Sequence, residues 1–232
     1  MKFQQNVFSE HTMALILLAF LLAYENSVFG NDFNLINTFN DSKFVLKRVN
    51  DGPTPIHFDW RDKHMVSPIK NQGKCNACWA FSTVANIESQ TKIHYGREET
   101  LSEQFLIDCD GGRVGCKSQG ILETFAGRLG TCKWNGRPKP VPVTGFKRVP
   151  PYAAAIKEYI YRYGPVSAGI NSESMDRYDG GIDEPTEDQC PPDTLNHANS
   201  WGKHWGDKGF YYLTMKGNAC GITSDVSISI VN

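Results

Sequence analysis

The sequence has no excess of charge of either sign and no run of like charges. Its 24 lysine and arginine residues balance 25 aspartate and glutamate residues, so that the net charge is -1. A protein that binds nucleic acid or an anionic membrane surface normally carries a basic patch, because the phosphate groups must be neutralised. The composition therefore predicts a protein with no nucleic-acid partner and no stable membrane association.

The sequence also lacks an apolar run long enough to span a membrane. Its main apolar run, MALILLAFLLAY at residues 13–24, is shorter than the roughly 20 residues of a spanning helix. The run follows Lys2, and the small residues Val28 and Gly30 after it suit a signal-peptidase site. We predict a signal peptide at residues 1–30 and hence a secreted or lysosomal protein, with an uncleaved membrane anchor as the alternative.

No internal repeat and no low-complexity tract interrupts the rest of the chain. Residues 31–54 are polar and run into the proline-rich segment DGPTPIHF. We predict that residues 31–54 are a short propeptide remnant and linker, and that residues 55–232 form the folded domain. A chain of 232 residues buries about 70% of its unfolded surface, so its core needs no metal.

The cysteine count is odd. The seven cysteines are Cys75, Cys78, Cys109, Cys116, Cys132, Cys190 and Cys220. Cysteines oxidise in pairs on the secretory route, so one thiol remains, either for a bridge between chains or as a reactive group. The CNAC segment at residues 75–78 could be a redox dithiol or half of a zinc site, but no second Cys/His pair at ligand spacing accompanies it. We predict neither a metal nor another cofactor.

Hydrophobic periodicity predicts helices early in the chain and strands late. Three helices are predicted. The first begins at Cys78 and ends before Gly96, the second covers LSEQFLIDC at residues 101–109, and the third covers PYAAAIKEYIYRYGP at residues 151–165. The predicted strands are PVSAGI at residues 165–170, KGFYYLTM at residues 208–215 and SDVSISIVN at residues 224–232. This order predicts an α+β fold with two lobes and a cleft between them.

Cys78 opens the longest predicted helix, where free backbone amides and the helix dipole favour a thiolate. The helix contributes at most about 2 kcal/mol, whereas lowering a thiol pKa from ~8.5 to ~5 requires nearly 5 kcal/mol. A cationic neighbour must supply the rest, and His197 is the best candidate. Gln72 precedes Cys78 by six residues, and its side-chain amide could donate to an oxyanion beside the sulfur.

The segments around these residues resemble, in order, the signature blocks of the papain-like cysteine peptidases, in particular those of the cathepsin L and F type. The blocks are DWRDKHMVSPIKNQGKCNACWAFSTVANIES, LSEQFLIDC, YRYGPVSAGI, YDGGI, LNHA, NSWGKHWGDKGFYYL and NACGI. The resemblance implies Cys78 as the nucleophile and His197 as its ion-pair partner and later general acid. It implies that Asn199 orients the imidazole, that Gln72 lies in the oxyanion hole, and that Trp201 shields the His-Asn contact.

The resemblance also implies a fold, a pattern of disulfides and an activity. The fold is two-lobed, with a helical N-terminal lobe and a β-barrel-like C-terminal lobe. The implied disulfides are Cys75–Cys116, Cys109–Cys132 and Cys190–Cys220, which leave Cys78 free. The activity is that of an endopeptidase that cleaves peptides or proteins through an acyl-enzyme without a cofactor. Cystatin-like proteins are its expected inhibitors, and a monomer is its expected state.

Three segments depart from the family pattern. Asn199 follows His197 by two residues, whereas about 20 residues separate these positions in the family; on one strand their α-carbons would lie about 6.6 Å apart with parallel side chains. We therefore predict an incomplete barrel. In the second departure, Ser118 and Gln119 replace two glycines that in the family pair with the substrate backbone, and the loop that follows them is shorter than in the family. In the third, residues 31–52 are shorter than the family's inhibitory prosegment.

These departures leave two alternatives to an active peptidase. One is a catalytically inactive homologue or aberrant isoform that acts, if at all, as a binding protein. The other is a disulfide-stapled secreted interaction protein that uses the first lobe alone. Peptide hydrolysis that depends on Cys78 distinguishes the enzyme from both.

Overall fold

The computed structural model describes residues 45–109, 116, 132, 141, 143–193 and 200–231. The predicted signal peptide, most of the predicted linker, and the Ser118, Gln119, His197 and Asn199 positions lie outside these residues. None of the helices in the described part of the chain is long and apolar enough to cross a membrane.

Three α-helices form close to the predicted positions. They are α1, Cys78–Tyr95, α2, Glu103–Cys109, and α3, Ala153–Tyr163. Helix α1 ends at Gly96, whose φ of 65° is the left-handed conformation that favours glycine at a helix C-terminus. The first fourteen residues of α1 are all buried, so this helix lies in the interior instead of presenting a polar face to solvent.

One antiparallel sheet of three strands packs against α1. Its strands are β1, Val143–Arg148, β2, Ser167–Ala168, and β3, Val226–Val231, in the spatial order β1-β3-β2. The register pairs Arg148 with Ser227 on one side of β3 and Ser167 with Ser227 on the other. All six residues of β3 are buried, which confirms the predicted C-terminal strand. The sheet is open, as expected for an incomplete barrel.

One strand prediction is wrong, and one strand of the structure was not predicted. The prediction at residues 208–215 is wrong, because this segment forms only isolated bridges, including Asp183 with Leu213. The chain turns at its start, where Lys208 has a φ of 55°, and the partner segment near Asp183 supplies two backbone hydrogen bonds, too few for a ladder. Strand β1 was not predicted, since VTGFKR has no clear alternation of apolar and polar residues.

The buried residues form separate clusters. The largest surrounds α3 and β3 and includes Trp60, Ile156, Met175, Tyr211 and Ile228. A second cluster joins α1 to α2, with Trp79, Phe81 and Leu106 among its members. Because α1 has residues in contact with more than one cluster, it fixes the position of its first residue, Cys78, relative to both halves of the molecule.

The three disulfides confirm the implied pairing. They are Cys75–Cys116, Cys109–Cys132 and Cys190–Cys220, and Cys78 is free. The first two join the segments around α1 and α2 to the region between α2 and β1. The third closes a span of 30 residues around the second half of the chain.

The segment before the predicted domain boundary packs on the folded part of the chain. The Val49 amide donates to the Arg162 carbonyl at 2.8 Å, and the Asn50 side chain donates to the Tyr161 carbonyl at 2.7 Å. These bonds satisfy carbonyls at the C-terminus of α3 that have no partner within the helix. Residues from position 49 onward therefore contribute to the stability of the fold.

Candidate active site

Cys78 lies at the first residue of α1, and only 5% of its surface is exposed. Burial raises the pKa of its thiol to about 12, while the backbone amides of Trp79 and of Cys78 itself lower the pKa by a smaller amount. The direction follows from desolvation, which penalises the charged thiolate. The helix terminus does not by itself produce a thiolate, so the sulfur needs a cationic partner to react near neutral pH.

Gln72 is 1% exposed and is fixed by hydrogen bonds at both ends of its side-chain amide. Nε2 donates to the carbonyl oxygen of Cys75 at 2.9 Å, and Oε1 accepts from the backbone amide of Ser200 at 2.7 Å. One neighbour requires a donor and the other an acceptor, so the amide cannot rotate by half a turn without losing both bonds. This preorganisation is what an oxyanion donor requires.

The backbone brings the loop that contains Gln72 against the segment that follows Asn199. The backbone N–H of Gln72 donates to the Ser200 carbonyl at 2.8 Å. Asn71 forms a β-bridge with Trp201, and the Asn71 side chain donates to the Trp201 carbonyl at 3.3 Å. The structure thus joins the two distant sequence blocks that carry the predicted site residues. His197 and Asn199 themselves lie outside the described residues, so their predicted roles stay predictions.

Trp201, the predicted shield of the His-Asn contact, lies in an aromatic cluster. Its ring packs edge-on against Trp205 with centroids 4.6 Å apart, and Trp205 in turn approaches Tyr178 at 5.9 Å. Ring contacts of this kind stabilise the arrangement beyond the area they bury. The cluster supports the backbone of residues 200–202, which lies against Asn71 and Gln72.

An ion cluster that the sequence did not predict lies behind the Gln72 loop. The Lys70 ammonium is 2.9 Å from a carboxylate oxygen of Glu88 and 2.5 Å from one of Glu103. Nothing in the sequence identified Glu88 as a partner, because a glutamate in a helix usually faces solvent. The proximity of Lys70 to Gln72 in sequence was the only available signal.

No group of three or more potential metal ligands occurs among residues 45–109, 143–193 and 200–231 or the described cysteines between them. A polar pocket of about 230 Å³ is lined by Tyr178, Asp183 and neighbouring residues, and none of the predicted site residues lines it.

Comparison with known families identifies one match. The model described as "Papain family cysteine protease" matches residues 54–198 and residues 192–230. The two pieces overlap at residues 192–198, and the first ends between His197 and Asn199, where the sequence departs from the family spacing.

Individual relatives agree with this match. Mouse cathepsin F (Mus musculus) is 33% identical over 221 residues, which cover 80% of this chain and 48% of the relative, so the chain spans about half of that protein's length. The bromelain protease of Ananas comosus, solved with the inhibitor E64, has a TM-score of 0.65 at 28% identity and covers 77% of this chain and 100% of its own. Digestive procathepsin L2 of Tenebrio molitor has a TM-score of 0.69 at 28% identity, and the match covers 77% of this chain and 69% of the procathepsin chain.

Proposed function

Because the chain belongs to the papain family of cysteine proteases, we propose that it is an endopeptidase that uses Cys78 as its nucleophile. One observation carries the proposal: six of the seven cysteines form disulfides, and the seventh, Cys78, begins the buried helix α1. A structural thiol would need no such position. A nucleophile benefits from it, because the free amides at the start of the helix favour the thiolate form of the sulfur.

The reaction follows from the predicted roles. The Cys78 thiolate attacks the peptide carbonyl carbon, and the Gln72 amide donates to the resulting oxyanion. His197, protonated in the ion pair and oriented by Asn199, gives its proton to the leaving amine, which departs as the acyl-enzyme forms. Water then adds to the thioester with His197 as the general base, and the carboxylic product leaves Cys78 ready for a second cycle.

Substrates, inhibitors and location follow as parts of the same proposal. The substrates are peptides or proteins, the inhibitors include cystatin-like proteins, and the working form is a monomer. Three disulfides favour an oxidising compartment, which agrees with the predicted signal peptide at residues 1–30. We therefore place the protein on the secretory route, in the lysosome or outside the cell.

The test is hydrolysis of a fluorogenic peptide by the refolded chain, compared with the Cys78→Ala variant and with covalent labelling by E-64. We expect turnover that Cys78→Ala abolishes and a single E-64 adduct located on Cys78 by mass spectrometry. E-64 labelling without hydrolysis would indicate the inactive homologue instead. Turnover that survives Cys78→Ala would assign the activity to another group and reject the proposal.

A further inference from the structure

We propose that Lys70 is a positioning residue of this active site, which holds the Gln72 amide at the oxyanion through its ion pairs with Glu88 and Glu103. The inference rests on the proposed peptidase function and extends it to a residue outside the reacting atoms. Its basis is the location of the three charges relative to Gln72 and α1.

The three charged side chains join separate parts of the chain. Lys70 precedes the Gln72 loop, Glu88 lies in α1, and Glu103 begins α2. The Oε1 atom of Glu88 also accepts from the backbone amide of Leu101 at 2.8 Å, just ahead of α2. The cluster therefore fixes the loop against the helix that carries Cys78 and against the start of the next helix.

The two carboxylates of the cluster are largely withheld from solvent, and the lysine is partly exposed. The exposed fractions are 24% for Lys70, 2% for Glu88 and 16% for Glu103. Water cannot easily replace the Lys70 contacts, so displacing the ammonium would leave a buried carboxylate without its counter-charge. Lys70 is therefore held by two largely buried carboxylates, which fix its position better than an exposed partner would.

Stability alone does not explain this arrangement. Two carboxylates share one ammonium, and the second oxygen of Glu88 is buried without a hydrogen-bond partner. Buried ion pairs are often no more stabilising than apolar side chains of the same volume, and their best-attested benefit is a defined geometry. The geometry defined here is that of the loop that begins at Lys70.

Lys70 is close enough to Gln72 to set its position. Two residues of extended chain span at most about 7 Å, so a displaced Lys70 backbone moves Gln72 with little attenuation. Gln72 is held on its other side by Ser200. With one anchor removed, the loop pivots about the other, and an amide misplaced by about 1 Å can cost roughly 100-fold in rate.

The experiment compares Lys70→Met with Lys70→Arg in the full chain. Lys92→Met is the matched control, because Lys92 also belongs to an ion pair of α1, at 3.0 Å from Glu98, yet lies at the other end of the helix. Each variant is assayed for kcat and KM on a fluorogenic peptide and for the rate of Cys78 alkylation by iodoacetamide, which forms no oxyanion. If Lys70→Met folds poorly, the Lys70→Met/Glu88→Gln double variant takes its place, because it removes the more deeply buried of the two carboxylates left without a counter-charge.

We expect Lys70→Met to lower kcat by about 10- to 100-fold, as for a misplaced oxyanion donor, with KM and the alkylation rate changed less than about twofold. Lys70→Arg should retain most of the activity, because it keeps the charge, and Lys92→Met should equal the parent chain. Equal losses of hydrolysis and alkylation would show a merely structural role and overturn the inference.

A second readout separates this inference from the proposed function. The side-chain amide resonances of Gln72, assigned through their loss in Gln72→Glu, should shift in Lys70→Met and not in Lys92→Met. A parent chain without peptidase activity would refute the proposed function, while the shift alone would still establish that Lys70 positions Gln72. Unshifted resonances would overturn the positioning role whatever the activity.

Discussion

Replacement of His197 by alanine should turn Cys78 from a reactive thiolate into an almost inert thiol. Burial raises the pKa of the Cys78 thiol to about 12 in the described structure. At pH 7 such a thiol is ionised to about one part in 10⁵, whereas a thiol with a pKa of ~5 is almost fully ionised. The proposed ion pair with His197 must lower the pKa of the Cys78 thiol over this range.

The rate difference is smaller than the ionisation difference, because a thiolate of lower pKa is a weaker nucleophile. With a Brønsted coefficient of about 0.45, seven pKa units reduce intrinsic reactivity by roughly 10³-fold. We therefore expect His197→Ala to slow alkylation by about 10²-fold at pH 7 and by between about 10³- and 10⁴-fold at pH 5. The effect is larger at pH 5 because the ionised fraction of the variant's thiol falls by a further factor of about 100 between pH 7 and pH 5. The growth of the effect as the pH falls is the specific signature.

The assay is iodoacetamide labelling from pH 5 to pH 9, with the modified residue located by mass spectrometry. The disulfides leave Cys78 as the one free thiol among the seven cysteines, so labelling reports a single site. His204→Ala is the control, because His204 is exposed and has no predicted role. A His197→Ala variant that still labels rapidly at pH 5, or a parent chain that labels only at alkaline pH, would refute the reasoning.

Two further predictions concern the scaffold. Replacing Cys190 and Cys220 together by alanine opens a loop of 30 residues and should lower the free energy of unfolding by about 3.6 kcal/mol on the chain-entropy model; a loss below about 1 kcal/mol in urea denaturation would contradict it. Replacing Asn86 by alanine removes the acceptor of the buried Ser229 amide and a donor to the Pro165 carbonyl, both at 2.8 Å. This substitution should lower the free energy of unfolding by about 2 kcal/mol and lower Tm by about 4–8 °C. Thr91→Val is the control, because the hydrogen bond it loses lies within α1. Equal effects of the two variants would refute the role of the contact with β3.

The sequence predicted those parts of the fold that depend on local signals or on family blocks. Helix α1 has a cysteine at its predicted start and a glycine at its predicted end, and the structure places both there. The disulfides were implied by the resemblance and are confirmed. The failures occurred where long-range pairing decides the outcome, as in the unpredicted β1 and in residues 208–215, because β-branched and aromatic residues reveal a preference for strands but not the presence of a partner.

The same distinction between local signals and long-range contacts applies to the residues of the site. Cys78 and Gln72 could be selected from sequence because each has a chemical role and a recognisable block around it. Lys70, Glu88 and Ser200 could not, since a charged pair 18 residues apart in sequence and a backbone amide carry no motif. Contacts that hold a reacting group in place are formed by tertiary structure, and only the structure reveals them.

Two anchors that do not include residues 194–199 hold the nucleophile and the oxyanion donor together. Lys70 fixes the Gln72 loop to α1, which carries Cys78, and Ser200 fixes Gln72 from the opposite side. On the proposed roles, we expect the short spacing between His197 and Asn199 to act chiefly on the ionisation of the thiol, because the Lys70 anchor of the oxyanion loop lies far from it in sequence. Alkylation responds to the ionisation of the thiol and forms no oxyanion, so we expect the pH profile of labelling to report the effect of the shortened segment on Cys78.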